Sequence, residues 1–430
     1  MKLFGTMEVV DNVLNIGKVS TLSLAQEYGT PLIVIDEKLV RSNCKRYIEA
    51  FNIGDGNNKV AYAGKAFLPL AMCRIINEEK LCLDVVSGGE LYTAIQSGFP
   101  LGKIYFHGNN KTLDEIEMGV DNNIGRFVVD NLNELSEINE VAKRQHKIQK
   151  VILRITPGIE AHTHEYIKTG QLDSKFGFTL LGDITMKAVE KATTLSNIRF
   201  IGLHCHIGSQ IFEIEPFEDE VDIMLNLVKD IKEKLGIQVE ELDLGGGFGI
   251  YYIKGDKPRK IEEICSAILS RAKSTAEKLN IILPALTIEP GRSIIGNSGT
   301  TLYTVGSIKE IPGIRKYVAV DGGMSDNIRP ALYNAEYECA LCNKMESDVS
   351  EKVTVCGKCC ESGDILINNA VLPKVKTGDI LVIPTTGAYG YSMANNYNKI
   401  RKPSVVLVKD SDSKLICRRQ SYKDLIREEI

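Results

Sequence analysis

An α/β fold, a (β/α)8 barrel followed by a second, C-terminal all-β domain, is the class this 430-residue sequence predicts. Two observations carry that expectation. Between residue 31 and about residue 290, short runs rich in Val and Ile alternate with stretches of helical period, the pattern of buried parallel strands joined by crossover helices. After about residue 290 the long helical stretches stop, and Gly, Pro and Asp separate the apolar runs, as in a β-sandwich or β-barrel domain. For the first part a doubly wound sheet is the alternative.

Taken in order, PLIVID (31–36) leads in, and KVAYAGK, CLDVVS, IYFHG, RFVVD, KVILRI, FIGLHCHIG, VEELDLGGG and ALTIEPG follow as eight strands. Each is too short for a helix, and segments such as GGELYTAIQSG and EIEMGVDNN between them have helical spacing. Eight such units fill about 250 residues, the length of a closed barrel. YTVGSIKEI, KYVAVDGG, EKVTVCGK, DILVIPTTG and SVVLVKD are the later strands. The expected boundaries are therefore 31–287 for the barrel and 288–430 for the β domain, with TMEVV and VLNIG in residues 1–30 adding a strand to the latter.

Composition narrows the function classes. With 52 basic and 56 acidic residues the net charge is −4, which gives no general attraction for nucleic acid or an anionic membrane. No apolar run is long enough to span a bilayer, and the start of the sequence lacks the apolar stretch and cleavage site of a signal peptide. A cytoplasmic protein is expected, with its 11 cysteines reduced. Five of them, Cys339, Cys342, Cys356, Cys359 and Cys360, cluster within a short stretch. Cys339-x2-Cys342-x13-Cys356-x2-Cys359 resembles a zinc ribbon with a shortened middle, against which a thiol acting as an acid beside Glu361 competes. No metal is the preferred expectation.

Barrel enzymes carry their chemistry at the C-terminal strand ends, and those ends are unusually polar here. Lys65 ends the first strand, where an ammonium is either salt-bridged or exposed, or else is a nucleophilic amine for Schiff-base formation. Asp84, His107, His204 and His206 follow on later strands, and Glu289-Pro-Gly-Arg292 closes the last one. His204 and His206 alternate and so share one face, which suits a metal as well as ring stacking. A metal-dependent hydrolase is thus a competing reading, with Asp84, His107 or Glu289 as the third ligand. Gly245 to Gly247, with Ser209 and Gly291, supply small residues and N–H groups fit for a phosphate, although glycines also serve ordinary turns.

Jointly these motifs are more specific than any one of them. YAGKAF, LDVVSGGEL, FHGNNK, HTHEYIKTGQLDSKFGF, GLHCHIGSQI, LDLGGGFGI, EPGRSI, VDGGMSDNIRPALYNA, CCESGDIL and GAYGYSMANNYN resemble, in order, the diaminopimelate decarboxylases. These belong to the alanine-racemase-fold (fold-type III) pyridoxal-phosphate enzymes. The resemblance implies pyridoxal 5'-phosphate joined to Lys65, with His206 on its ring and Glu289 at its pyridine nitrogen. It implies a phosphate site of Ser209, Gly247, Gly291, Arg292 and Tyr389. It further implies substrate contacts from Arg292, Arg329, Tyr333, Glu361 and Tyr389, and a homodimer in which Cys360 and Glu361 reach the other subunit's active site.

The implied reaction is decarboxylation of meso-2,6-diaminopimelate to L-lysine, with Lys65 and Cys360 as catalytic groups. A decarboxylase of the same fold acting on ornithine, arginine or carboxynorspermidine is the runner-up, and a non-catalytic cofactor carrier of the same barrel is a third possibility. Two positions depart from the family pattern, Lys358 where many members have Pro and Phe67 where Asn is frequent, and Cys339 and Cys342 lie outside it.

Overall fold

The computed structural model describes residues 1–51, 57–158 and 173–430, so the whole of HTHEYIKTGQ (162–171) lies outside the described residues. The chain forms two compact units. One comprises Asn43–Gly249 and Pro258–Gly291, and the other Met1–Ser42, Ile250–Lys257 and Arg292–Ile430.

The first unit is a closed barrel. Its strands are β1 (Lys59–Ala63), β2 (Cys82–Val85), β3 (Ile104–Phe106), β4 (Arg126–Val129), β5 (Gln149–Thr156), β6 (Ile198–Cys205), β7 (Glu241–Asp243) and β8 (Ala285–Ile288). All neighbours are parallel, and β8 returns to β1 with Thr287 opposite Lys59. Each strand coincides with one of the eight expected runs. The helix Gly88–Ser97 shows how the intervening segments are delimited: the Ser87 side chain accepts the Glu90 N–H, and Gly98 ends the helix in the left-handed conformation.

Period-two alternation sorts the barrel interior into layers. At the N-terminal end, Glu241 accepts from Lys59 at 2.5 Å and lies 3.3 Å from Arg126. Above it Ala61, Cys82, Tyr105, Val128, Ile152 and Ile201 form one apolar cluster. Two residues further along several of these strands stand Asp84, His107 and Arg154. Since Cys82, Tyr105 and Ile152 face inward, so must these three, and the barrel opens into a polar layer at its C-terminal end.

The second unit is rich in sheet. Gly299–Ile311, a 13-residue strand, pairs with Arg315–Val320, with Ile380–Ile383 and with Leu32–Asp36. PLIVID therefore belongs to this unit, where Leu32–Asp36 also runs parallel to Ser404–Lys409; the barrel unit begins later than residue 31. TMEVV and VLNIG lie in this unit as well, outside that sheet. With Val19–Ser20 they make a separate three-stranded antiparallel one. Alternation again decides the packing: Leu302 and Val382 face one apolar cluster, whereas Tyr303, Leu381 and Ile383 face another.

Behind β6 the packing contains one unusual pair. Glu220, on the helix Glu215–Leu235, is 1% exposed and its carboxyl lies 3.0 Å from the Cys205 sulfur, which donates to it. Burial pushes this carboxyl up to about 8. The folded state thus holds a proton that the unfolded chain has lost above the ordinary carboxylate range. Stability from this group falls as pH rises from about 4.5 towards 8. Glu220→Gln is expected to raise the unfolding temperature, and the gain should grow between pH 5 and pH 8; a pH-independent difference would refute the assignment.

Candidate active site

The polar layer of the barrel lines a cavity of about 330 Å³ that includes Lys65, Asp84, His107, Arg154, His204, His206 and Glu289. Lys65 sits in the single turn Gly64–Ala66 directly after β1. It is exposed, and among the described residues none forms an ion pair with it, so the salt-bridged alternative is set aside. Gly291 fits closely beneath that turn: a Cβ there would meet the Ala63 Cβ at 2.9 Å and the Ala66 Cβ at 3.2 Å.

Glu289 is positioned by its own backbone, whose N–H donates to the Gly245 carbonyl at 2.6 Å. Its side chain is 7% exposed and lies 2.7 Å from His107 Nε2 and 3.3 Å from His204 Nε2. Burial opposes its ionisation, but the two imidazoles outweigh that and hold the carboxyl well below the usual carboxylate range. Burial also pushes His204 down to about 3. His204 therefore supports the carboxylate as a neutral N–H donor. Asp243 nearby is pushed far up, first by burial and then by the charge of Glu289. Of these two carboxyls one stays ionised and the other neutral.

His206 is half-buried, and its Nδ1 accepts the Gly246 N–H at 3.2 Å, which leaves the proton on Nε2. Burial, then the cations Lys65 and Arg154, keep this ring neutral. The glycine triplet serves this packing. A Cβ on Gly245 would meet the Cys205 carbonyl at 2.5 Å, and one on Gly246 the Glu289 carbonyl at 2.3 Å. Gly247, with φ +110°, approaches the Gly208 carbonyl, and the Ile211 N–H donates to the Gly247 carbonyl at 2.9 Å. Ser209 and Gly247 thus occupy two turns that touch.

In the second unit a cluster of two arginines and three tyrosines forms. Arg292 donates to the Tyr252 hydroxyl at 2.6 Å and lies 4.8 Å from the centre of the Tyr389 ring. Arg329 donates to Tyr337 at 2.5 Å and stacks 4.9 Å from the Tyr252 ring. Both guanidiniums are 7% exposed. Burial alone would raise the Tyr252 phenol, yet the two arginines pull it down. Tyr389 adopts φ +60°, a left-handed conformation that is costly for a bulky residue and typical of functional sites. Tyr333 closes the short helix Arg329–Tyr333 and is half-buried. Cys360 and Glu361 stand exposed on the loop between strands Glu351–Cys356 and Ile365–Leu372.

The structure thus gathers Lys65, His206 and Glu289 at one cavity, and Arg292, Arg329 and Tyr389 in one cluster. Arg154, Tyr252 and Tyr337 were not singled out from the sequence. Arg154 was accessible by counting two residues from Ile152, but the tyrosines show no spacing that marks them. The zinc-ribbon reading fails on geometry. Cys342 is buried in an apolar cluster, and among the described residues the group near enough to hold a metal is His107, His204 and Glu289. That donor set fits a pyridine nitrogen as well as a cation.

Comparison with known proteins bears on this choice. Residues 37–296 match the family described as pyridoxal-dependent decarboxylase, pyridoxal binding domain. The chain is 48% identical to the diaminopimelate decarboxylase of Bacillus subtilis (strain 168), over 96% of this chain and 94% of that one. It is 49% identical to the diaminopimelate decarboxylase of Staphylococcus aureus (strain COL), over 96% of each. Among solved structures, it superposes on the diaminopimelate decarboxylase of M. jannaschii in complex with L-lysine with a TM-score of 0.93 at 40% identity. That match covers 99% of this chain and 98% of the other. The lysine/ornithine decarboxylase of Vibrio vulnificus shares the fold at a TM-score of 0.77 and 21% identity, covering 90% and 97%.

The electrostatics of Glu289 can be read without any ligand. Replacing both neighbours, His107→Ala with His204→Ala, removes the groups that hold the carboxyl down. Infrared spectra of the purified protein at pH 6 should then show a carboxylic acid band additional to those of Glu220 and Asp243 in the parent, and Glu289→Gln should abolish it. An unchanged spectrum would show that the imidazoles do not set its charge.

Proposed function

The chain belongs to the pyridoxal-dependent decarboxylases and, within them, to the diaminopimelate decarboxylases, and from that premise we propose how its residues act. The reaction is loss of carbon dioxide from meso-2,6-diaminopimelate to leave L-lysine, the last step of lysine biosynthesis. The observation that supports the assignment of residues best is the convergence of Lys65, a neutral His206 and an ionised Glu289 on one cavity.

Those residues suit pyridoxal phosphate by chemical type. The exposed amine of Lys65 would hold its aldehyde carbon, the neutral imidazole of His206 would lie on its ring, and Glu289 would face its nitrogen. Ser209, Gly247, Gly291, Arg292 and Tyr389 would hold the phosphate. When bound, the cofactor supplies the electron sink that accepts the pair left behind by the departing carboxylate. Glu289, its own proton driven off, would keep a proton on that nitrogen, and His204 steadies the negative charge of Glu289 with a neutral N–H.

A general acid contributes on the order of 10² to 10⁴-fold, well short of the 10⁶-fold or more typical of enzymes, so a separate sink is needed and proton return is the smaller task. That task falls to Cys360, or to Lys65. Cys360 and Glu361 are exposed in their own chain, in keeping with delivery to a second copy and hence a homodimer with shared active sites. Arg329 is the cation for the distal carboxylate of the substrate, Glu361 the anion for its distal amine, and Tyr333 a further donor. The absence of any disulfide among the described residues agrees with a reducing, cytoplasmic setting; among the same residues no helix is long and apolar enough to cross a membrane. Nothing in the net charge of −4 favours nucleic acid.

Reduction of the cofactor-loaded protein with borohydride, followed by peptide mapping, should place the label on Lys65. Label on another lysine would overturn the site. Release of lysine from meso-diaminopimelate should greatly exceed turnover of ornithine, arginine or carboxynorspermidine. Arg329→Leu should raise KM for meso-diaminopimelate by about 10²-fold, since a charge-assisted bond to a buried group is worth about 2 to 3 kcal/mol. Mixing inactive Lys65→Ala and Cys360→Ala proteins should recover about a quarter of the parental activity if two copies share each site, and none if each chain is self-sufficient.

A further inference from the structure

The segment Gly357–Lys358–Cys359–Cys360–Glu361–Ser362–Gly363–Asp364 has two glycines and a serine, a composition that leaves a loop many conformations to lose on ordering. It is nonetheless tied down by three anchors. Asp364, 3% exposed, accepts the Met324 N–H on Oδ1 at 2.7 Å and the Cys359 N–H on Oδ2 at 2.8 Å. The Lys358 N–H donates to the Gly322 carbonyl at 2.9 Å. Asn398 Oδ1 accepts the N–H of Cys360 itself at 2.7 Å.

The surroundings are shaped for these anchors. Backbone approaches the Asp364 carboxylate so closely that a Cβ on Gly357 would lie 2.2 Å from Oδ2, and one on Gly323 2.5 Å away. Asn398 has φ +52° and ψ +25°, a left-handed conformation that Asn tolerates better than most residues. That turn aims its amide oxygen at the Cys360 N–H. Backbone on both sides of the thiol is therefore fixed, while the Cys360 side chain remains exposed. A side chain that merely filled a surface loop would have no need of such anchoring. A proton donor does, since misplacement by about 1 Å can cost on the order of 10²-fold in rate.

We propose that Asn398 and Asp364 are positioning residues for the Cys360 thiol, a proposal that rests on the reading of Cys360 as proton donor to a second copy of the chain. Asn398 sets the backbone at the thiol itself, and Asp364 closes the loop behind it. Neither is asked to touch substrate or cofactor.

The test compares Asn398→Ala, Asn398→Asp, Asp364→Asn and Cys360→Ala in the cofactor-loaded enzyme. Asn398→Ala should lower kcat by about 10 to 100-fold, a loss no larger than that of the acid it positions. Its KM for meso-diaminopimelate and its cofactor dissociation constant should stay within two-fold of the parent. Asn398→Asp keeps an accepting oxygen and should restore most of kcat. Hydrogen exchange of the peptide spanning Gly357–Asp364 should accelerate in Asn398→Ala and in Asp364→Asn, with the unfolding temperature of the Asn398 variants unchanged. Parental kcat in Asn398→Ala, alongside a slow Cys360→Ala, would overturn the positioning role alone. Parental kcat in Cys360→Ala would overturn the proton-donor reading and the proposal with it.

Discussion

An isolated carboxylate as buried as Glu289 would cost several kcal/mol to keep ionised, so the barrel must either neutralise it or build around it. It builds around it. His107 and His204 stand on either side, Asp243 takes up the proton that two adjacent carboxyls can share, and the Gly245 carbonyl fixes the backbone from which Glu289 projects. Each of these requires a residue type at one strand end. The glycine triplet follows from the same constraint, because a side chain at Gly246 would strike the Glu289 carbonyl and push the carboxylate away from its donors. Gly246, one of the glycines read in the sequence as fit for a phosphate, is thus also a packing requirement of this charge.

Most of the barrel was legible because its code is short-range. A strand buried on both faces reads as a continuous apolar run, and all eight did. The assignment of Leu32–Asp36 to a unit was not legible, since an apolar strand looks alike whichever sheet pairs with it. ILINNAVL (365–372) was missed for a different reason. Its two asparagines break the apolar run, and only the alternation of Leu366, Ala370 and Leu372, with a left-handed Asn369 between, reveals a half-buried strand. Such a strand carries a weaker signal because half its residues face water.

The candidate site divides along the same line. Lys65, His206 and Glu289 end strands and could be found by asking which strand ends are polar. Arg154 obeys that rule too, two residues beyond an inward-facing isoleucine, and was overlooked because an arginine after an apolar run reads as a strand exit to solvent. Tyr252 and Tyr337 have no such address. They lie outside the regular elements, and their role emerges only where Arg292 and Arg329 converge on them. The exposed Cys360 was identified through its motif, and its anchoring by Asp364 and Asn398 involves residues separated by up to 40 positions.

Substrate choice is the step on which fold is silent, since decarboxylases with different amino-acid substrates share one architecture. The side chains are more discriminating. Arg329 is buried, and among the described residues its hydrogen-bond partners are the phenols of Tyr337 and Tyr252 and no carboxylate pairs with it. A phenol satisfies one of the five guanidinium donors and offsets little of the charge. A buried cation left in that state favours any ligand that brings an anion, and disfavours one that brings a second cation. An amino acid with a carboxylate at each end would satisfy this, because one carboxylate departs in the reaction while the other would remain to neutralise the arginine. Ornithine presents only an amine at its far end and would leave the guanidinium unmatched. In the role proposed for it, the arginine that lacks a carboxylate partner among the described residues would thus be what makes the site selective.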